Sequence, residues 1–461
     1  MPPAKKIVIF LVDDFGIVDT GCYGSDYYET PAIDKLAQGG MRFTDAYAAS
    51  PVCSPTRASL LTGRYPHRLH LTCFIPGLET PYTRLKSPDW IKYLRDSETT
   101  FAEAFTEAGY ETFFVGKWHL GAEYAGNDSP RQHGFSHVHP GGDVFKPNPE
   151  DPHFVREYTQ ATIDFLDQHA SDDFLVYVSY DSVHYPIYEE AADVDHFRDK
   201  AASANGQDNP VMAAMIAKMD WSVGEILNQL DKLDIEDETL VLFLSDNGGL
   251  MSYYDNDSEQ EVTATSNLPY RGGKSKLYEG GIRIPFIVRW PGVVAPASTC
   301  DDPVITNDVY PTLLDAAGLE QRPEQHLDGI DLCGVLTSSS RLPERALFWH
   351  YPHYHTEPPH GAIRDGEWKL IWNYQSGEIQ LFNLDADPGE QMDLSGTMTG
   401  KAGKLQQMLK DHLDAIDAQW PAQKPGYEPG APIRKGATQA PFDPYESHQE
   451  NDPRAYSSNP L

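Results

Sequence analysis

The sequence predicts an α/β fold: a large domain over residues 1–340, a smaller antiparallel subdomain over 341–420 and an extended tail over 421–461. Three observations predict it. Short runs such as Lys5–Val12, Tyr110–Val115, Phe174–Tyr180 and Thr239–Leu244 are apolar throughout, as strands buried on both faces are. Helical patterns alternate with them, over Thr99–Ala108, Phe154–His169 and Val211–Leu233. Near residues 335–345 the chain changes to short strands separated by Asp-Gly and Ser-Gly turns.

Taken in order, Lys5–Val12 is a strand that ends at Asp13-Asp14. Adjacent carboxylates repel, and at a strand's C-terminal end they favour a divalent cation between them. Pro31–Gln38 is a helix with Thr30 as N-cap and Gly39-Gly40 as stop. Met41–Ala48 is a strand leading into the Cys53 loop. Tyr110–Val115 delivers Lys117 and His119, which share one side of an extended chain. Gln132–Pro149 is a loop in which His139 and Asp143 are candidate ligand contacts. Phe174–Tyr180 delivers His184, and Thr239–Leu244 delivers Asp246-Asn247, again hard oxygen donors. Residues 251–268 read as a surface loop. A Gly-rich block, Arg271–Pro285, carries Lys274, and its glycines permit close backbone approach. Ile284–Trp290 is a further strand and Asn307–Ala317 a helix. The subdomain strands are Ala346–Trp349, Gly361–Arg364, Trp368–Asn373 and Ile379–Asn383, with a packing helix over Leu405–Ile416. His350, His353, His355 and His360 cluster in a proline-rich loop, read as reaching the cleft rim.

Composition narrows the function classes. The formal charge is 36 − 69 = −33, which argues against nucleic acid as a partner. Any anion must then be drawn by a few cations focused in a cleft. No stretch reaches the ~20 apolar residues of a spanning helix, so no membrane association is expected. The first apolar run is short and ends in two aspartates, unlike a secretory leader. The expectation is a cytoplasmic chain as written, or a periplasmic or secreted one whose leader has been removed. The five cysteines show no metal spacing and would allow two disulfides beside Cys53 without implying them.

One stretch, Ser50–Arg64, organises the rest. Cys53 lies just before a helix, where free N–H groups and the dipole favour an anion. Pro55 falls in the first turn, and Arg57 one turn inside points back toward Cys53. Cys53-x-Pro55-x-Arg57, followed by Thr62-Gly63-Arg64, resembles the signature of the formylglycine-dependent (type I) sulfatases. Gly116-Lys117-Trp118-His119-Leu120-Gly121, the His184 position and the Lys274 block resemble further hallmarks of that family. The likeness is to its arylsulfatase-like members and, among them, to carbohydrate sulfatases.

The resemblance implies an alkaline-phosphatase-like fold, with a large mixed sheet between helices and a C-terminal four-stranded antiparallel sheet plus helix. It implies that Cys53 is converted to formylglycine by a maturation enzyme. It implies a Ca²⁺ (or Mg²⁺) held by Asp13, Asp14, Asp246, Asn247 and residue 53. Lys117 and Lys274 would hold sulfate oxygens, and Arg57 would stabilise the nucleophile. His184 would protonate the leaving oxygen, and His119 would take the proton from the second hydroxyl. The expected substrate is a sulfated sugar or oligosaccharide, contacted by Lys117, His184, Lys274, Asp143 and His353. Two other readings stay open at this point. One is a phosphatase, phosphonate hydrolase or phosphodiesterase on the same fold, the other a non-enzymatic module for sulfated glycans.

Overall fold

The computed structural model describes residues 3–78, 83–121, 129–142, 148–255, 260–337 and 340–424. Its centre is an eight-stranded sheet. In spatial order the strands are Ser298–Cys300, Met41–Phe43, Phe286–Arg289, Thr239–Ser245, Lys6–Val12, Phe174–Ser179, Glu111–Gly116 and His137–Pro140. The last five are mutually parallel, while Phe286–Arg289 runs antiparallel to both its neighbours. The sheet is therefore mixed. Alternation along Lys6–Val12 sends Ile7, Ile9 and Leu11 into one apolar core and Val8, Phe10 and Val12 into the other. Two buried faces explain why these strands read as unbroken apolar runs.

The register brings the strand ends level. Leu11 pairs with Ser179, Val12 with Ser245, and Gly116 with Ser179. Gly116 has φ +98°, and a Cβ there would sit 1.9 Å from the Ser179 carbonyl oxygen. Only glycine lets these two strand ends approach so closely. Every group that immediately follows these strands is thereby collected at one edge of the sheet.

A second, four-stranded antiparallel sheet holds Ala346–Tyr351, His360–Asp365, Trp368–Asn373 and Ile379–Asn383 in sequence order. Ile363, Leu370 and Leu381 on one face pack against Leu405, Leu409 and Leu413 of the Thr399–Ala415 helix. Leu347, Trp349, Ala362 and Phe382 share a core with Tyr47, Leu277 and Ile282 of the larger layer.

Several expectations shift. The single strand expected over Met41–Ala48 is two, Met41–Phe43 and Ala46–Tyr47, the latter pairing with Val304–Ile305. The break places Asp45 against the guanidinium groups of Arg283 and Arg364. The 251–268 stretch contains a hairpin, Ser252–Asp255 with Gln260–Thr263. Of the tail, Ala422–Gln423 pairs with Leu85–Lys86, and residues from 425 on lie outside the described ones. All five cysteines are free thiols. No described helix is long and apolar enough to cross a membrane.

Candidate active site

The Cys53–Thr62 helix is buried along its whole length. It starts at Cys53 itself, one position earlier than a cysteine outside the helix would require, with Val52 as the extended cap residue. Pro55 costs nothing in the first turn. Gly63 ends the helix at φ +67°, its N–H donating to the Ser59 carbonyl, and a Cβ there would collide with His326. These constraints hold Cys53 and Arg57 at the level of the strand ends.

Arg57 ties the elements together. Its Nε donates to Asp246 Oδ2 at 2.9 Å, its Nη2 forms an ion pair with the same oxygen at 2.8 Å, and its Nη1 donates to the Lys117 carbonyl at 2.9 Å and to Ser179 Oγ at 2.6 Å. Asp13 Oδ2 lies 3.6 Å from Nη2 and also accepts from Lys117 Nζ. Lys274 Nζ donates to Asp14 Oδ2 at 2.7 Å, and Asn247 Nδ2 donates to Asp14 Oδ1 at 2.8 Å. Asp14 itself adopts φ 58°, a left-handed conformation that aspartate tolerates better than most residues. It places the Asp14 N–H 3.2 Å from Asp246 Oδ1. The Gly-rich loop is fixed by Lys274 N–H on the Gly249 carbonyl and Ser275 N–H on the Pro51 carbonyl.

The electrostatics follow from burial. Burial pushes Asp13 up, but Lys117, His184, Arg57 and Lys274 outweigh it and hold the carboxyl well below the usual range. Asp14 and Asp246 are raised by burial, and the neighbouring Asp13 charge adds to it. Burial, joined by the charges of Lys274 and Lys117, holds His184 well below the ordinary histidine value. His184 Nδ1–H donates to its own neighbour's carbonyl, Tyr185, at 2.6 Å, leaving Nε2 3.8 Å from Asp14 Oδ2. His119, at φ 57°, donates from Nε2 to the Ile75 carbonyl. Its buried Nδ1 has no partner among the described residues, and burial with the Lys117 charge pushes the ring down to about 3. Both imidazoles are therefore neutral near pH 7, each with one nitrogen committed and one available.

The residues fit a hard divalent cation. Asp13, Cys53 and Asp246 offer ligand atoms within 4.8 Å of one another, as do Asp13, Asp14 and His184. Asp13 Oδ1 and Asn247 Oδ1 are buried oxygens without a hydrogen-bond donor among the described residues. Buried acceptors left without donors are costly, and a cation at this point supplies what the protein does not. The one soft donor is the Cys53 thiol, which suits such an ion poorly.

Of the expected sites, Cys53, Arg57, Asp13, Asp14, Lys117, His119, His184, Asp246, Asn247 and Lys274 come together here. Two do not. Asp143 lies outside the described residues. His353 is buried, with its Nε2 2.8 Å from Thr72 Oγ1 and its ring edge-on to Trp90, so it packs the loop interior instead of lining a rim. His139 sits on the edge strand against Glu157. Two residues escaped the sequence reading. Ser179 braces Arg57 and donates to the Lys117 carbonyl at 2.7 Å, and its signal was its place as the last residue of a buried strand. Asp181, buried and pushed up to about 7, accepts from Tyr158 OH at 2.6 Å.

Comparison with known proteins accords with this geometry. The sulfatase family profile matches residues 5–319, and the profile of the N-sulphoglucosamine sulphohydrolase C-terminal region matches residues 273–419. Human arylsulfatase A is 30% identical over 92% of this chain and 90% of its own length. Mouse N-acetylgalactosamine-6-sulfatase is 31% identical over 86% and 78%. Among solved structures, Ps i-CgsB in complex with k-i-k-neocarrahexaose superposes with a TM-score of 0.75 at 25% identity, covering 92% of this chain and 96% of that one. With the alkaline-phosphatase-like layers, the Cys53–Arg57 helix start and the oxygen cluster in place, the chain belongs to the sulfatase family and is a sulfuric ester hydrolase.

Proposed function

We propose that this enzyme removes sulfate from a sulfated carbohydrate, using residue 53 as formylglycine beside a bound Ca²⁺ or Mg²⁺. The observation that carries the reading is the convergence of the Cys53 helix start with the Asp13, Asp14, Asp246 and Asn247 oxygens and two lysines. The sugar substrate rests on the names of the relatives: an N-acetylgalactosamine-6-sulfatase and a protein solved with k-i-k-neocarrahexaose.

Asp13, Asp14, Asp246, Asn247 and residue 53 would hold the cation, which when bound polarises a sulfate oxygen and favours an oxyanion at residue 53. Conversion to formylglycine replaces a soft thiol with a hydrated aldehyde, whose two hydroxyls are hard donors. A maturation enzyme must make that conversion. Lys117 and Lys274 would hold the remaining sulfate oxygens, and Arg57 would stabilise the nucleophile at residue 53 from within the same helix. His184 would protonate the leaving sugar oxygen from Nε2 once the ring, neutral in the free enzyme, has taken up a proton there. Sulfate bound against Lys117 and Lys274 would offset the two charges that add to burial in holding His184 neutral, so substrate itself would raise its basicity. His119, whose buried Nδ1 has no partner among the described residues, would accept a proton from residue 53.

Turnover of a panel of mono- and oligosaccharides sulfated at defined positions tests the substrate class, with aryl phosphate esters as the contrast. Mass spectrometry of the peptide holding residue 53 tests the modification, which lowers its mass by roughly 18 Da, a sulfur-for-oxygen exchange with loss of two hydrogens. A Cys53→Ala protein that kept sulfatase turnover would sink the proposal.

A further inference from the structure

The helix Val155–His169 begins in an unusual way. Both residues before it, His153 (φ 61°, ψ 12°) and Phe154 (φ 57°, ψ 26°), are left-handed, though neither is glycine or asparagine. An ordinary N-cap residue is extended, so the helix does not need this conformation. Two of its first N–H groups, those of Arg156 and Glu157, are already capped by the Asp151 carboxylate at 2.9 Å each. Strain of this kind persists where something else requires it, and it gathers at functional sites.

What the two turns accomplish is visible in the side chains. Phe154 is laid against Tyr158, with ring centroids 6.2 Å apart, and under the Gly142 backbone, where a Cβ would meet the ring at 2.1 Å. Tyr158 OH accepts from Gly142 N–H at 3.0 Å and donates to Asp181. His153, buried, is driven beneath the segment that carries His184, and its Nε2–H donates to the His184 carbonyl at 3.0 Å. The next carbonyl along the chain, that of Tyr185, takes the His184 Nδ1–H. His153 thus fixes the peptide group immediately before the one that sets the His184 ring.

We infer that His153 is a positioning residue for His184, holding the imidazole so that Nε2 faces the leaving oxygen. The inference rests on the assignment of His184 as proton donor, and the test separates the two.

Four proteins are compared: His153→Ala, His153→Gln, His184→Ala, and the His153→Ala/His184→Ala double variant. Each is assayed on para-nitrophenyl sulfate, whose leaving group needs no proton, and on a hexose sulfate from the panel above. His153→Ala is expected to lower kcat on the sugar sulfate by about 10- to 100-fold, as small displacements of an acid do, with KM little changed. On the aryl sulfate the loss should stay within about threefold. His153→Gln keeps an N–H donor and should recover most of the difference. On the His184→Ala background, removing His153 should cost nothing further. Losses that multiply in the double variant, or equal losses on both substrates with no recovery by glutamine, overturn the positioning role. A His184→Ala protein that loses both substrates equally overturns the proton-donor assignment instead. The double variant then still decides whether His153 acts through His184.

Discussion

Lys369→Met should cost this protein a large part of its stability. Lys369 stands on the Trp368–Asn373 strand of the smaller sheet, and Glu279 opens a short helix five residues after Lys274. Glu390 follows the Ile379–Asn383 strand, and all three side chains are fully buried. Lys369 Nζ reaches Glu279 Oε1 at 2.8 Å and Glu390 Oε1 at 2.9 Å. Glu279 also takes Tyr47 OH at 2.7 Å and Arg283 Nη1 at 3.2 Å, while Glu390 Oε2 accepts the Glu279 N–H at 2.6 Å. Burial raises Glu279, but Lys369, Arg283 and Arg364 outweigh it and hold it below its ordinary range. Glu390, with Lys369 beside it but Glu279 as a like charge, is pushed up to about 7 by burial. Methionine fills the space of the lysine stem, so the cavity term is small. The main loss is the charge, which leaves two buried carboxyl groups facing one another. Breaking a buried pair in this way costs about 3–5 kcal/mol, against a total of roughly 5–15. The assay is the urea midpoint by tryptophan fluorescence, with the exposed Lys410→Met as control. The loss should be larger at pH 8 than at pH 5, because at low pH a carboxyl can take up a proton instead. A midpoint shift no larger than that of Lys410→Met, or one independent of pH, refutes the reasoning.

Three further outcomes are expected. Arg57→Lys keeps the charge but cannot serve Asp246, Ser179 and the Lys117 carbonyl together, so kcat should fall by about 10²–10³ with a smaller change in KM. Exhaustive chelation should abolish turnover, and Ca²⁺ should restore it and raise the unfolding free energy by about 2.7 kcal/mol at a hundredfold excess over Kd, read as a higher urea midpoint. Asp19, fully buried and held by Thr265, Gly16 and Gln207, is pushed up to about 7 by burial. The folded chain keeps a proton there that the unfolded chain releases near pH 4, so the contribution is present below about pH 4 and lost as pH rises through 7. The midpoint difference between wild type and Asp19→Asn should therefore shrink across that window and be flat above it.

What was legible in the sequence is local. A run such as Thr239–Leu244 announces a strand buried on two faces, and the polar pair after it announces the edge where ligands collect. The helix start at Cys53 is equally local, set by Pro55, Arg57 and Gly63. What was illegible depends on contacts made across the fold. His353 looked like a rim residue because its loop is polar and proline-rich, but Thr72 and Trp90 close over it. Met41–Ala48 looked like one strand because nothing in it forecasts that Asp45 will face two arginines. His153 carries no signal in spacing, since its role lies in a hydrogen bond to a carbonyl 31 residues away. Side chains whose partners are distant in sequence leave no periodicity to read.

The charge balance of the site bears on how an acidic protein attracts an anion. Asp13, Asp14 and Asp246 oppose Arg57, Lys117 and Lys274, three charges against three, so the protein part of the site is neutral when all are ionised. The chain as a whole carries −33. Neither the surface nor the neutral site favours a sulfate ester. A divalent cation alone gives the site a positive excess, inside a region where buried charges are weakly screened. Affinity for substrate should therefore depend on the cation more steeply than on Lys117 or Lys274 taken singly, and added salt should affect it little. Salt screens the repulsive surface at long range, while the attraction acts at a few ångströms. The acidic exterior would then favour solubility without penalising the reaction, because binding would be decided by the few charges that touch the sulfate.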